Sequence, residues 1–122
     1  MKNKSEDYQK MIKTYLEHNS CPVAATMSVI GGKWKSIILY LISHDVKRFG
    51  EMHRMIDGIS KKMLTSQLRE LEADKIIHRK VFPVVPPKVE YTITERGLSL
   101  RPLIIAMREW GLENVLKIRH YT

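Results

Sequence analysis

The hydrophobic period of this chain shortens after Asp74, and that change limits its fold more than any other feature. Upstream, apolar residues recur at spacings of three and four, as helices require. Downstream, Ile77, Arg79 and Val81, then Val89, Tyr91 and Ile93, alternate with their neighbours at a period of two, which predicts two strands. Phe82-Pro83-Val84-Val85-Pro86-Pro87-Lys88 joins them, and prolines confined to this connection leave the strand N–H groups free to pair. The chain is therefore expected to be mainly α-helical, with a two- or three-stranded β ribbon placed late.

The helical part divides at its turn residues. Tyr8, Met11, Ile12, Tyr15 and Leu16 give an amphipathic helix over about 5–18, long enough to stand out as an arm. Pro22 suits the first turn of a second helix, which Gly31-Gly32 stops. Lys33 to Ser43 is strongly apolar, with Trp34, Ile37, Ile38, Leu41 and Ile42 expected to face the core. A short amphipathic piece, Arg48–Ile56, ends at Asp57-Gly58. Ser60 then caps a helix running to Asp74, with Ile59 placed to staple onto Leu64. After the ribbon, Thr94 can cap a last helix over about 95–119, in which Pro102 must sit early or mark a second start.

Composition narrows the class. With 122 residues, 43% of them apolar, the chain should bury roughly two-thirds of its unfolded surface, enough for one domain spanning 1–122 without staples. No linker or repeat divides it. One cysteine excludes an internal disulfide framework or a multi-cysteine zinc site and fits a reducing, cytoplasmic setting. The longest apolar run, Ile37 to Ile42, is far too short to span a bilayer, so no membrane partner is expected. A formal charge of +8 at pH 7 directs attention to phosphates.

That charge is concentrated. Between Lys61 and Lys88 seven Lys/Arg face three acids, a surplus of +4. In the helix after Ser60, Leu64, Leu68 and Leu71 form the stripe expected to be buried, while Lys61, Lys62, Thr65, Ser66 and Arg69 recur on other faces as donors to base edges and phosphates. Glu70, Glu72 and Asp74 lie in the C-terminal half, where they would repel phosphate, so the N-terminal half should meet double-stranded DNA. The ribbon adds Arg79, Lys80 and Lys88. Helix, tight turn, helix and ribbon in this order make a winged helix-turn-helix.

Ordered blocks carry a closer likeness. Cys21-Pro22-Val23, Gly31-Gly32-Lys33-Trp34-Lys35, Arg48-Phe49-Gly50-Glu51-Met52, Gly58-Ile59-Ser60-Lys61-Lys62-Met63-Leu64, Leu68-Arg69-Glu70-Leu71-Glu72, Pro86-Pro87-Lys88-Val89-Glu90-Tyr91 and Thr94-Glu95-Arg96-Gly97 resemble the HxlR-type transcriptional regulators, relatives of the MarR winged-helix group. The likeness runs from Cys21 to about Leu116 and leaves out the N-terminal arm. It implies a homodimeric bacterial regulator, joined through N- and C-terminal helices, on a roughly palindromic operator. It also implies base and phosphate contacts from Ser60, Lys61, Lys62, Thr65, Ser66 and Arg69, wing contacts from Arg79, Lys80 and Lys88, and flanking backbone contacts from Arg48 and Lys33. Independently of it, Trp110, Leu112, Val115 and Leu116 exceed what one helix face can bury, as a dimer seam would.

Cys21 precedes Pro22 at a helix start, whose partial positive charge favours a thiolate. Some members similar to this chain use a cysteine here to sense oxidants or electrophiles, so Cys21 is the candidate redox switch. The alternative is an inert, half-buried thiol. The seven methionines read as core filler or, less simply, as lining for a small-molecule effector.

The remaining classes have less support. His18-x-x-Cys21 supplies two metal ligands, and His44, His53, His78 and His120 show no ligand spacing, so neither metal nor other cofactor is expected. No nucleophile with its base and no glycine-rich phosphate loop is present, so no enzyme is expected. A basic RNA-binding domain remains as a rival, although the sequence offers no aromatic stacking platform.

Overall fold

The computed structural model describes residues 4–117. Ile118, Arg119 and His120 lie outside the described residues. Two compact units are present, residues 1–32 and 33–122.

The first unit contains α1 (Lys4–His18) and α2 (Pro22–Ile30). Along α1, Tyr8, Met11, Tyr15 and Leu16 form an apolar stripe that is at least half exposed. Cys21 is the extended N-cap of α2 and Pro22 its first residue, where a missing N–H costs nothing. At the other end the Gly31 N–H closes on the Met27 carbonyl, and Gly32 turns the chain at φ +87°.

The second unit holds α3 (Lys35–Ser43), α4 (Phe49–Met55), α5 (Lys61–Ala73), β1 (Ile77–Phe82), β2 (Lys88–Ile93), α6 (Glu95–Leu98) and α7 (Arg101–Gly111), which runs into a π-helical turn, Leu112–Leu116. Its core forms where α3 packs on α5 and β2, α5 on β1, and α4 and α6 on β2. Ile38, Leu39, Ile42, Met52, Ile56, Leu64, Leu68, Leu71, Ile76 and Ile77 are all buried there.

Four expectations are corrected or narrowed to one of their alternatives. First, the helix expected from Lys33 begins at Lys35, with Trp34 as its N-cap. Ile37, expected in the core, is 40% exposed, and Leu39 is buried in its place. In so apolar a run the sequence does not set the phase of the buried face; the neighbours α5 and β2 do. Second, the sheet has two antiparallel strands, registered Ile77↔Ile93 through Phe82↔Lys88. The segment before α4 touches β2 through one hydrogen bond, from the Tyr91 N–H to the Lys47 carbonyl, and does not become a third strand. Third, Phe82 and Lys88 form the last rung of the ladder, so the connection shrinks to 83–87.

Fourth, the single helix expected over 95–119 is interrupted after Leu98. Pro102 has no N–H to give the Leu98 carbonyl and its ring crowds that oxygen, so the helix restarts as α7 with Pro102 in its first turn. Thr94 does cap, but it caps the short α6.

The junction around Thr94 secures the base of the ribbon. Its hydroxyl accepts from the Gly97 N–H at 3.0 Å and donates toward the carbonyls of Lys75 and Ile76 just past α5, 2.7 and 2.9 Å away. The Arg96 Nε–H reaches the Asp74 carbonyl at 3.0 Å. Gly97 has to be glycine, because a Cβ there would collide with the Ile76 carbonyl and the Ile93 side chain.

Candidate nucleic-acid interface

Helix α5 forms for local reasons that the sequence states clearly. The Ser60 hydroxyl accepts from the Met63 N–H at 3.0 Å, and Ile59 and Leu64 at the start are both buried. Leu64, Leu68 and Leu71 are 0–1% exposed and fasten one face to the core. The helix ends without glycine: Lys75 adopts φ +61°, and the Lys75 and Ile76 N–H groups return to the Glu72 and Leu71 carbonyls.

On the opposite face Lys62, Thr65, Ser66, Arg69 and Glu70 line one groove. Four of the residues expected to contact DNA are thus brought together. Ser60 and Lys61 are not among them, and the Ser60 hydroxyl is engaged in the cap. Thr65 gives its hydroxyl proton to the Lys61 carbonyl at 2.8 Å, so it offers lone pairs and a methyl group to a ligand. Arg69 has no ion-pair partner among the described residues, which leaves its five donors for bases or phosphates.

Glu70 behaves differently from the expectation of a repelling acid. Its carboxylate is 3.0 Å from the Lys35 Nζ of α3 and accepts from Gln67 Nε2 at 3.3 Å. Among the described residues, Lys35 is the one charged side chain in the buried set. It shares a helical face with Ile38 and Ile42, but in so apolar a helix the sequence does not say that this is the face that is buried.

The ribbon separates its cations by pleat. Lys80, Phe82, Lys88 and Glu90 share one face, and Arg79 lies on the other beside Val81, Val89 and Tyr91. The Lys80 and Lys88 ammonium groups sit over the Phe82 ring at 4.9 and 5.1 Å from its centroid. Lys88 also pairs with Glu90 at 3.4 Å, so part of its charge is spent inside the ribbon. Beyond this clamp Val85 is 100% exposed at the tip. Nothing in the residue pattern singles out Phe82 in advance.

Of the flanking cations, Arg48 is the exposed N-cap of α4, and Lys33 lies over its neighbour Trp34 at 4.7 Å. Cys21 is a free, exposed thiol at the start of α2. No cluster of three metal-ligating side chains exists among the described residues. No helix among them is long and apolar enough to cross a membrane.

Comparison with known proteins agrees with this arrangement. Curated relatives include the uncharacterized HTH-type transcriptional regulator YybR of Bacillus subtilis (strain 168), 52% identical over 100 residues that cover 82% of this chain and 80% of YybR. Among solved structures, the redox regulator HypR in its oxidized form matches with a TM-score of 0.72 and 55% identity, covering 77% of this chain and 97% of HypR. The reduced transcriptional regulator YodB from B. subtilis matches at 0.68 and 36%, covering 79% of this chain and 95% of YodB. The model of the HxlR-like helix-turn-helix family matches residues 29–118. Buried leucine stripe, basic groove and two-stranded wing therefore belong to a member of the HxlR-like helix-turn-helix family, a winged-helix regulator of transcription and not an enzyme.

Proposed function

We propose that this chain is a sequence-specific regulator that binds duplex DNA as a homodimer on a roughly palindromic operator in the bacterial cytoplasm. The observation that carries this reading is the groove on α5, where Lys62, Thr65, Ser66 and Arg69 converge opposite a fully buried leucine stripe. A helix so mounted fits the major groove, with Arg69 suited to the O6 and N7 of guanine. Lys61 and Ser60 sit at the first turn, nearest the phosphates. Lys80 and Lys88, held over Phe82, lead the wing to the backbone or minor groove, Arg79 supplies the other ribbon face, and Arg48 and Lys33 flank. Residues 1–122 act as one winged-helix domain in this reading.

The arm, about 5–18, and the C-terminal helix supply the dimer seam. Trp110, Leu112 and Leu116 are 64%, 47% and 57% exposed, which a second copy would cover. Two recognition helices then read half-sites roughly 34 Å apart. Neutralising about six phosphates would give a log–log salt slope near −5. Selection of bound duplexes from a random pool tests the proposal. A recovered palindrome bound more tightly than random duplex supports it, and equal affinity for both overturns it.

A second reading concerns control. Cys21 is exposed at a helix start, and among the similar structures the redox regulator HypR is seen in oxidized and reduced forms and YodB in reduced and diamide-treated forms. As the chain has one cysteine, a disulfide has to join two protomers or recruit a small thiol. With diamide, two Cys21 thiols would form one S–S bond while their two protons and two electrons reduce the diazene to a hydrazine. DNA release on diamide treatment that C21S abolishes supports this switch; sensitivity unchanged in C21S removes it.

A pair of adjoining pockets supports a small-molecule effector. Between α3 and α7 lies a cavity of about 320 Å³ lined by Ile37, Tyr40, Ile104, Met107 and Arg108, next to one of about 230 Å³ that Tyr40, Ile104 and Arg108 also line.

A further inference from the structure

We infer that Lys35 is a positioning residue for DNA reading, a buried cation that holds α5 at one azimuth and cancels the acid on the edge of its DNA-facing groove. The inference rests on the major-groove assignment of α5. Lys35 lies in the first turn of α3, where its own helix carries no acid, and its side chain is 11% exposed. An ammonium group placed there gives up much of its hydration and needs a well-placed anion in return. Glu70 answers it at 3.0 Å, from a different helix thirty-five positions along the chain.

The position of Glu70 on α5 gives that pair its consequence. The leucines hold one side of the helix, but apolar contacts are non-directional and allow it to roll. Glu70 lies toward the opposite side, on the rim of the groove with Lys62, Ser66 and Arg69. An ion pair there gives α5 a directional tie to α3 that the leucine stripe does not supply. A roll of a few degrees would move the end of an arginine side chain by a sizeable fraction of a hydrogen-bond length, which bidentate base reading does not tolerate.

Charge adds a second effect. An unpaired carboxylate beside Arg69 would repel phosphate, and its ion pair with Lys35 removes that penalty. Gln67 Nε2, bonded to the same carboxylate at 3.3 Å and to Met63 Sδ at 3.6 Å, extends the ordered network toward the front of the helix.

The test uses the full chain, a duplex selected from a random pool by the wild type, and a random duplex of equal length. K35M keeps the length of the side chain and removes its charge. Its ratio of selected to random affinity should fall about tenfold, comparable to the loss of one base reading. K35M/E70M replaces the pair with apolar neighbours; thermal stability should return toward wild type while the ratio stays low. Should K35M fail to fold, E70Q, altered at the half-exposed end, carries the same expected loss of ratio.

An unchanged ratio in folded K35M or in E70Q overturns the inference and leaves the function intact. So does a ratio that recovers together with stability in K35M/E70M, which would make the pair merely structural. A wild type that binds both duplexes alike overturns the DNA-reading assignment and this inference together.

Discussion

Helices α5 and α7 are nearly equal in length and both amphipathic, yet they end in opposite states. Every leucine in the stripe of α5 is buried, whereas α7 buries none of its residues. The difference lies in where the partner surface comes from. The stripe of α5 is met by α3 and β1 of its own chain. The apolar surface of α7, including Leu103 and Trp110, finds no such cover among the described residues. Amphipathicity therefore marks a face that needs burial without saying whether the same chain provides it.

The largest break in this comparison should come from Leu68→Ala. Removing a side chain that is 1% exposed should cost about 2 to 5 kcal/mol, read as a lower midpoint in urea unfolding. Trp110→Ser on α7 should act on association instead. Sedimentation should show the dimer constant weakened by about 2 kcal/mol or more, the scale of a buried aromatic anchor. If Trp110→Ser left association untouched, the seam would lie elsewhere.

Smaller effects sharpen the contrast on the DNA side. Arg69→Ala should cost about 1 to 3 kcal/mol on the selected duplex, and preference should relax at one base position. Lys88→Ala should weaken all sequences alike. Because Glu90 already holds part of its charge, the salt slope of the dimer should fall by less than the roughly 1.8 expected for two fully engaged phosphate contacts, one per protomer. A fall of roughly 1.8 would show that the Glu90 pair opens on DNA.

What could be read from the sequence was what is encoded locally. Ser60, the leucine stripe and the basic residues of α5 all lie within one stretch, and cap and period point the same way. The ribbon was legible because a period of two admits one reading. Lys35 was not, since its burial depends on Glu70, far along the chain. Ile37 and Leu39 could not be told apart, because in an apolar run the packing partner chooses the face. The interruption before α7 was half legible: Pro102 announced a second start, but the place of the stop depended on which carbonyl lost its donor.

The junction at the base of the wing has a practical consequence for modular engineering. Thr94 and Arg96 bind the far end of β2 back to the carbonyls of residues 74–76, just past α5. Recognition helix and wing are thus one cassette whose ends are tied to each other. A chimera that exchanges DNA preference between related regulators has to transplant residues 60–97 as a piece. A splice inside that span would pair one parent's strand with another parent's helix terminus, and the two reading elements would lose their common frame.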